Sequence, residues 1–462
     1  MADWPPSARP NFLIAVSHDW GRLGGAYGDE VRTPTFDRLA REGVLFTQAF
    51  AAAPTCTPAR SALLTGRYPW RLGTGFNLWG VLPKETPGSF LELLANAGYF
   101  VGHVGHGWGP GEEARGRRSD AGGFAGPAYR SVGEAVQRSN GSRPWAIWHG
   151  SFRTHRPFRH IHAYPLNATA LMPPWLPRPV PPAVATDYLA HAFCSTSFDQ
   201  ELNSSIPWRA LESTVVIVTS DHGRPFPREK ASPYDGGVSV ALAIRIGRDV
   251  PVAGGPVRRG LVLDVLTSAI DLAPTILELA GVPLPAQTAE VPMDGRSLLP
   301  LITRGGNGRH GSRTDPQGRP FLLWGQERVG AENNKTGYPL RAIRTREYLY
   351  ISNMRPERDA ATCDQTFPVR VFLRSLNGSW FNLSCAAAKP REELYDLRAD
   401  PAQIRDVAGS ASYTATRQEL AAQLHAELVR TADPRMEPGG GEAAFEHDKN
   451  VMCARYPHVC RV

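Results

Sequence analysis

The chain has 462 residues, of which 42% are hydrophobic and 21% are charged, and its formal net charge is +7. This length predicts a large domain followed by a smaller one, and the composition is typical of a globular protein with an ample core. No apolar run approaches the ~20 residues of a membrane span, and no basic stripe with interleaved aromatic residues indicates nucleic-acid binding. The mild positive charge is compatible with an anionic substrate without requiring one.

Four short apolar segments predict buried parallel strands, because their apolar residues are continuous rather than alternating. They are 12–16, 99–104, 145–148 and 214–219. Helical patterns separate or follow these strands, at 35–42, 89–97, 185–202 and 271–279. The alternation of strands and helices predicts an α/β fold with helices on both faces of the sheet.

Cys56 begins the segment Cys-Thr-Pro-Ala-Arg, which is followed by an apolar helical pattern. Thr57 is the predicted N-cap and Pro58 the predicted first residue of this helix. Residue 56 would then lie at a helix N-terminus, where unpaired N–H groups and the helix dipole favour an anion. A buried structural cysteine before an ordinary helix is the alternative that this segment alone leaves open.

Polar and ionisable residues follow each of the four predicted strands at once. In chain order they are Ser17, His18 and Asp19; His106 and Trp108; His149, Arg153 and His155; and Ser220, Asp221 and His222. In open α/β sheets, ligands bind beyond the carboxyl ends of the strands. We therefore expect the four clusters to converge on one site.

The pattern changes from about residue 320. Residues 339–351 alternate between apolar and polar and predict an antiparallel hairpin. The segment 393–397 and a predicted helix at 413–431 close the smaller domain. The Gly-rich stretch 304–318 is the predicted linker. The predicted parts are a large catalytic domain over 1–310, a small antiparallel-sheet domain over 311–435 and a poorly ordered tail over 436–462.

Several features bear on the compartment. The first residues lack the basic and apolar regions of a signal peptide, so either a leader is missing from this chain or the protein is intracellular. Cysteines and glycosylation sequons favour a secreted or extracytoplasmic location instead. The candidate local disulfides are Cys363 with Cys385 and Cys453 with Cys460, although spacing does not fix the pairing. The sequons begin at Asn140, Asn167, Asn203, Asn334, Asn377 and Asn382.

Taken together, these motifs resemble those of the type I sulfatases of the alkaline phosphatase superfamily. The matching segments are Arg9-Pro10-Asn11, Thr33-Pro34-Thr35-Phe36-Asp37, Cys56-Thr57-Pro58-Ala59-Arg60, Thr219-Ser220-Asp221-His222-Gly223 and Asp294-Gly295-Arg296-Ser297. The resemblance covers most of residues 9–300 and extends further through Tyr395-Asp396-Leu397. Around Trp108 and His155 the sequence looks most similar to the heparan N-sulfatase-like branch.

The resemblance implies a large alkaline-phosphatase-like α/β domain with a mixed, mostly parallel sheet between helices, and a small C-terminal domain with an antiparallel sheet. It implies that a formylglycine-generating enzyme oxidises Cys56 to formylglycine, an aldehyde whose hydrate attacks the sulfur of a sulfate group. The implied cofactor is Ca²⁺, with another divalent cation as the alternative. The implied substrate is a sulfate ester or sulfamate, carried by a sulfated small molecule or saccharide.

The resemblance also assigns roles to individual residues of this chain. The metal positions of the family fall on His18, Asp19, Cys56, Asp221 and His222. Arg60 falls on the residue that holds the aldehyde hydrate, His155 on a sulfate-binding or proton-transferring histidine, and Lys230 on a sulfate-binding lysine. This set suits the chemistry, because sulfate needs its charge neutralised and the leaving group needs a proton.

Three positions depart from the family pattern. His18 stands where a carboxylate is usual, and an imidazole there should weaken Ca²⁺ binding or favour another metal. His106 stands where the family has a lysine that contacts formylglycine and sulfate, and an unperturbed histidine is charged only below about pH 6.5. Arg153 stands near a usual aspartate and, with Arg156 and Arg159, is expected to bind anionic groups beside the reacting sugar.

Two other functions stay open on the sequence alone. His18 and His106 are compatible with a catalytically weakened homologue that binds sulfated glycans. The other is a phosphoesterase of the same superfamily, which would use residue 56 without its conversion to an aldehyde. The sequence likewise leaves a homo-oligomer open.

Overall fold

The structure is a computed structural model that describes residues 9–114, 123–158, 165–253, 255–284, 292–304, 310–311, 318–329, 337–358, 368–376 and 389–446. Its strands are β1 (Asn11–Ser17), β2 (Val44–Phe50), β3 (Val81–Leu82), β4 (Phe100–Gly105), β5 (Glu112–Glu113), β6 (Ala128–Tyr129), β7 (Trp145–Ser151), β8 (Thr214–Ser220), β9 (Leu242–Ile246), β10 (Leu261–Ser268), β11 (His310–Gly311), β12 (Leu322–Gln326), β13 (Leu340–Arg344), β14 (Tyr348–Asn353) and β15 (Glu392–Asp396). Its helices are α1 (Pro34–Glu42), α2 (Cys56–Thr65), α3 (Phe90–Asn96), α4 (Val132–Ser139), α5 (Ala168–Leu171), α6 (Pro182–Ser205), α7 (Asp235–Val238), α8 (Leu272–Leu279), α9 (Leu299–Arg304), α10 (Pro368–Ser375), α11 (Thr414–Arg430) and α12 (Gly440–Phe445).

Within the described residues, the large sheet has the strand order β11-β10-β2-β9-β8-β1-β7-β4-β6. β1 pairs in parallel with β7 and β8, whereas β9 pairs antiparallel with β8 and β2. The sheet is therefore mixed and mostly parallel, as the resemblance implies. Every residue of β7 and β8 is buried, which agrees with strands that helices cover on both faces.

Alternate side chains of β1 belong to two different hydrophobic cores, one on each face of the sheet. On one face, α2 and α3 contribute Leu63 and Leu94 to the core. On the other face, α1 and α6 contribute Leu39 and Phe198. Each such fully buried side chain contributes about 1.5–3 kcal/mol. The two cores thus pack against both faces of the central strands, and this packing fixes the strand ends that carry the polar clusters.

The small sheet is antiparallel throughout, in the order β12-β13-β14-β15. The predicted hairpin around Thr345 is confirmed, since Arg344 of β13 pairs with Leu349 of β14. Helix α11 packs on this sheet through Leu420 and Leu424, and these side chains join the same core as α2. The predicted fold class, a large mixed sheet with helices and a separate small antiparallel sheet, is confirmed.

The start of α2 differs from its prediction. The helix begins at Cys56 itself and its N-cap is Thr55, so Thr57 and Pro58 are both inside the first turn. Pro58 is tolerated there because the first N–H groups of a helix have no intrahelical partner. The Thr57 hydroxyl donates instead to the backbone carbonyl of Pro110. Residue 56 still lies at the helix N-terminus, as predicted.

The prediction of a poorly ordered tail from residue 436 is wrong as far as residue 446. Helix α12 follows Gly439, whose φ of 68° explains the glycine run as a turn before a helix. Phe445 is 2% exposed and contacts Phe76 edge to face, with ring centroids 5.6 Å apart. Asn77 Nδ2 donates to the Phe445 carbonyl at 2.8 Å. A buried aromatic side chain therefore fixes this end to the large domain.

Other predictions fall on residues outside the described ranges. These are the two candidate disulfides, Arg159, most of the linker, the sequons at Asn334, Asn377 and Asn382, and the tail from 447. The domain bounds at 310 and 435 stay a prediction. Among the described helices, none combines the length and the apolar character that crossing a bilayer requires.

Candidate active site

The loops that follow three central strands start at one level of the sheet. Ser17, the last residue of β1, lies opposite Ser151 of β7 and Ser220 of β8. The Ser17 and Thr154 hydroxyls are 2.8 Å apart, and the Thr154 hydroxyl donates to the His18 carbonyl at 2.5 Å. Parallel pairing in register thus brings the three polar clusters to one edge of the sheet, as predicted.

Five side chains converge at the N-terminus of α2. One ligand atom from each lies within 4.8 Å of all the others, and all five residues are buried. They are His18, Asp19, Cys56, Asp221 and His222. We call this group the five-residue cluster. Every residue assigned to a metal position by the resemblance is a member.

Cys56 lies inside this cluster rather than beside it. Its Sγ is 3.3 Å from His222 Nε2 and 4.0 Å from His18 Nδ1. Burial raises the pKa of the Cys56 thiol to about 12, against the opposing effect of nearby Lys230. The unmodified side chain is therefore a neutral thiol at neutral pH and a poor nucleophile.

Asp221 is oriented for cation binding by its own backbone neighbourhood. Its Oδ1 accepts the N–H of Asp19 at 3.0 Å and that of His222 at 2.9 Å. Its Oδ2 is buried and has no hydrogen-bond partner among the described residues. A carboxylate oxygen left unpaired in the interior is costly, and a bound cation would satisfy it.

Two cationic side chains balance the carboxylates. Lys230 Nζ lies 2.8 Å from both carboxylate oxygens of Asp19. Arg60 Nη1 lies 3.6 Å from Asp221 Oδ2, while its other nitrogens donate to the Trp108 and Gly109 carbonyls. Although burial raises the pKa of Asp19, the charge of Lys230 holds that pKa well below its usual value. Both carboxylates are therefore ionised at neutral pH.

Two further histidines, His106 and His155, flank the cluster. The rings of His106 and His155 lie 5.1 Å and 4.5 Å from the His18 ring. His155 Nδ1 donates to the Arg156 carbonyl at 2.5 Å, which leaves Nε2 facing Asp19 Oδ2 at 3.9 Å. The His155 side chain is one third exposed, so part of the ring is open to solvent.

Burial, with repulsion from Arg60, lowers the pKa of His106 to about 2. The ring is therefore neutral throughout the physiological range. That His106 replaces the family lysine stays a prediction, and the burial of the ring opposes the protonated form which that role requires. Position 106 supplies a hydrogen-bonding ring and an aromatic surface, and the cationic charge at the site comes from Arg60 and Lys230.

The two predicted substrate-binding arginines differ in their availability. Both ends of the Arg156 guanidinium bind the Asp187 carboxylate, at 2.7 and 2.5 Å, and only 14% of the side chain is exposed. Arg153 is 58% exposed and donates through Nε to Glu201 at 2.7 Å. Its two terminal nitrogens make no hydrogen bond to the described residues, so Arg153 has donors left for an anionic group.

Phe152 is the main residue of this site that the sequence analysis missed. It is a large apolar side chain that is 50% exposed. Its ring stacks on His18 with a centroid distance of 5.3 Å and contacts His106 at 4.4 Å. Its position is the available signal, since Phe152 directly follows the end of β7 and precedes Arg153.

His191 is a second missed residue, and it positions Asp19 from behind. It lies on α6, is fully buried, and its Nε2 donates to the Asp19 carbonyl at 2.9 Å. Burial lowers the pKa of His191 to about 3. The sequence carries no local signal for this contact, because the two residues are far apart along the chain.

We expect His191 to make stability depend on pH. Its pKa is about 6.5 when unfolded and lower when folded, so its contribution is fully present above pH 6.5 and is lost as the pH falls towards 3. From about pH 7.5 to 5.5 this group should lower the free energy of unfolding by about 1.4 kcal/mol. Urea unfolding of His191→Gln should show a pH dependence that is weaker by that amount, since glutamine keeps an N–H donor for Asp19. The control is the replacement of His425, which is exposed on α11, by glutamine. A pH dependence of His191→Gln equal to that of the wild type would contradict the expectation.

Comparison with known proteins places this site in context. A family model described as Sulfatase matches residues 10–282. The chain is 24% identical over 486 residues to an ulvan-active sulfatase of Formosa agariphila, covering 92% of this chain and 76% of that protein. It is 25% identical over 490 residues to the human N-sulphoglucosamine sulphohydrolase, covering 92% and 91%. A solved structure bound to its substrate D-glucosamine-2-N,6-O-disulfate superimposes with a TM-score of 0.62 at 18% identity, covering 92% and 98%.

Proposed function

This chain belongs to the sulfatase family of sulfuric ester hydrolases, and we propose that its substrate is a sulfated saccharide, as a sulfate ester or a sulfamate. One observation carries the proposal that the chain uses the family's chemistry. Cys56 occupies the first turn of α2, with its Sγ 3.3 Å from His222 Nε2 inside a cluster of ionised carboxylates and imidazoles. A cysteine with a purely structural role does not require ionised carboxylates and imidazoles around its thiol.

The five-residue cluster fits a divalent cation, because Asp221 Oδ2 is buried without a hydrogen bond from the described residues and the other four side chains offer donors beside it. We propose that His18, Asp19, Asp221 and His222 hold the cation together with residue 56. A bound cation would supply Lewis-acid polarisation of the sulfate group, and the aldehyde form of residue 56 would supply the hydrate nucleophile. Conversion of Cys56 requires a formylglycine-generating enzyme.

The remaining roles follow from charge and accessibility. Arg60 lies against Asp221 at the start of α2, where it would hold the hydrated side chain of residue 56. Lys230 has three N–H donors, and its two contacts with Asp19 leave one for a sulfate oxygen. The doubly protonated ring of His155, whose Nδ1 donates to the Arg156 carbonyl, would give its Nε2 proton to the leaving oxygen or nitrogen. The neutral ring of His106 would contact the sulfate.

A saccharide is favoured by the surface beside the cluster. The exposed face of Phe152 offers an apolar platform to a sugar ring. Arg153 lies next to it and has donors for a neighbouring sulfate or carboxylate, whereas Arg156 is occupied by Asp187. The human relative and the protein in the solved complex are both named with glucosamine derivatives that carry sulfate, which supports the same substrate class.

The substrate class can be tested through Arg153. With a disulfated glucosamine, Arg153→Gln should raise KM by about three- to tenfold, and Arg153→Glu should raise it further through repulsion. With a simple aryl sulfate, which has no second anionic group, both changes should leave KM nearly unaltered. The measurement is sulfate release by protein that carries the aldehyde at residue 56.

Arg209→Glu is the control for this test, because Arg209 is exposed and follows α6 rather than β7. Equal effects of the Arg153 changes on both substrates would argue against an anionic saccharide. Activity on the aryl sulfate alone would argue against any sugar substrate.

We further propose a secreted or extracytoplasmic location. The sequon residues Asn140, Asn167 and Asn203 are all exposed, so glycosylation at these positions is sterically feasible. The +7 charge and the presence of a cysteine that must be oxidised by a maturation enzyme are compatible with that location.

A further inference from the structure

Two of the side chains that meet at the start of α2 offer imidazole nitrogen rather than carboxylate oxygen. His18 Nδ1 donates its N–H to Asp19 Oδ1 at 2.9 Å and lies 3.8 Å from Asp221 Oδ2, so a cation that binds Nδ1 would replace this proton. His222 Nε2 lies 3.3 Å from Asp19 Oδ1 and 3.6 Å from Asp221 Oδ2. Both nitrogens therefore face the same pair of carboxylates. Once residue 56 is set aside, two of the four side chains offer nitrogen and two offer oxygen.

The hydrogen bond made by the far side of His222 fixes its tautomer. Nδ1 lies 3.0 Å from the Gly223 carbonyl, which can only accept a hydrogen bond. Nδ1 therefore carries the proton, and Nε2 presents its lone pair to the cluster. A carbonyl behind an imidazole is the arrangement that orients histidine ligands of metals in proteins. His222 is thus prepared to donate electrons to a cation.

The oxygens of the cluster are too few and too engaged for a cation that requires many oxygen ligands. Asp19 and Asp221 offer four carboxylate oxygens, and Lys230 binds both of those on Asp19. Asp221 Oδ1 accepts two backbone N–H groups, which leaves only Oδ2 without a hydrogen bond from the described residues. Ca²⁺ takes about six to eight oxygen ligands, whereas Zn²⁺ takes about four nitrogen, oxygen or sulfur ligands.

We propose that this site binds Zn²⁺ in preference to Ca²⁺, through His18, His222, Asp19 and Asp221. The inference rests on the proposed function, because it takes the cluster of the sulfatase site to be the cation site. Imidazole raises affinity for late first-row metals, which prefer nitrogen donors to a greater degree than Ca²⁺ does.

The test is metal binding by the full chain after treatment with a chelator. Equilibrium dialysis with elemental analysis gives the affinities, and the melting temperature gives an independent signal. We expect Zn²⁺ to bind at least about tenfold more tightly than Ca²⁺. His18→Asp restores an oxygen donor and should move the preference towards Ca²⁺ by about 10- to 100-fold. The matched control is His425→Asp, an exposed position on α11, which should leave both affinities unchanged.

Two further variants keep the result decisive. Cys56→Ala should retain the preference for Zn²⁺, because the imidazoles and not the thiol are proposed to carry it. His18→Asn preserves a neutral side chain and should weaken Zn²⁺ binding without creating a strong Ca²⁺ site, which covers the case of an unfolded His18→Asp protein.

Three results would overturn the inference: tighter binding of Ca²⁺ than of Zn²⁺ by the wild type, binding of neither ion, or loss of the preference in Cys56→Ala. An unchanged Zn²⁺ affinity in His18→Asn would do the same. Sulfate release is measured separately on the same preparations. A protein that prefers Zn²⁺ but hydrolyses no sulfate would contradict the proposed function and leave the metal assignment standing.

Discussion

Replacement of Cys56 by alanine is expected to abolish sulfatase activity, with a loss in kcat of about 10⁴-fold or more. The reason is that alanine cannot become an aldehyde, so the hydrate that attacks sulfur is never formed. Cys56 is buried in the first turn of α2, and the smaller side chain should fit there without displacing the helix. The measurement is steady-state sulfate release by wild-type and variant proteins from the same host.

The control for this prediction is Cys194→Ala. Cys194 is also buried, but it lies on α6 and is not a member of the five-residue cluster. Its replacement should keep sulfatase activity near the wild-type level. Peptide mass analysis should find the aldehyde at residue 56 in the active wild type. Full activity from protein that carries only a thiol at this position would refute the proposed chemistry and favour a phosphoesterase-like use of residue 56.

The strand ends of this fold could be predicted from sequence because a continuous apolar run has few alternatives. Each of the four runs forms a strand of the large sheet. Parallel pairing then aligns Ser17, Ser151 and Ser220 at the ends of three of these strands. The site could be located without knowledge of any side-chain rotamer. The apolar runs do not determine on which face of the sheet the residues at the end of each strand place their side chains.

His149 shows this limit. It was grouped with the residues that follow a strand, but it lies within β7, and its Nε2 is 3.0 Å from Glu201 on α6. Ser151, two residues later on the same face, donates to the same carboxylate. In a strand, a shift of one residue exchanges the two faces, so the exact end of β7 decides which side chains reach the site.

Burial was the other property that sequence could not supply. His106 was read with the pKa of an exposed histidine, yet desolvation in its actual surroundings lowers that pKa to about 2. The role of Phe152 is not predictable for a similar reason, because the sequence of a loop does not show which rings an aromatic residue will contact. Such effects arise from contacts between segments that are distant in the chain, and composition or periodicity does not encode them locally.

Asp221→Asn is expected to remove metal binding and to lower kcat/KM by about 10³-fold. Asparagine has nearly the same shape, and its amide oxygen can still accept the N–H groups of Asp19 and His222. The amide nitrogen would then replace Oδ2, which is the unpaired oxygen of the cluster, and would turn two hydrogens towards the cation position. The site would lose one negative charge and one ligand without loss of its framework.

The readouts are the shift of melting temperature on adding Zn²⁺ or Ca²⁺, and sulfate release. A ligand present at 100 times its Kd stabilises a protein by about 2.7 kcal/mol, so wild-type protein should show a clear shift and Asp221→Asn none.

Asp199→Asn is a closely matched control. Asp199 is equally buried and its oxygens accept the N–H groups of Thr35 and Phe36, but it caps α1 rather than joining the cluster. Its replacement should lower stability and keep the metal-dependent shift, because the lost charge there faces no cation. If Asp221→Asn kept the shift, the carboxylate of residue 221 would not be a ligand. If Asp199→Asn lost the shift as well, the effect would reflect the loss of a buried charge in general and would not support ligation by residue 221.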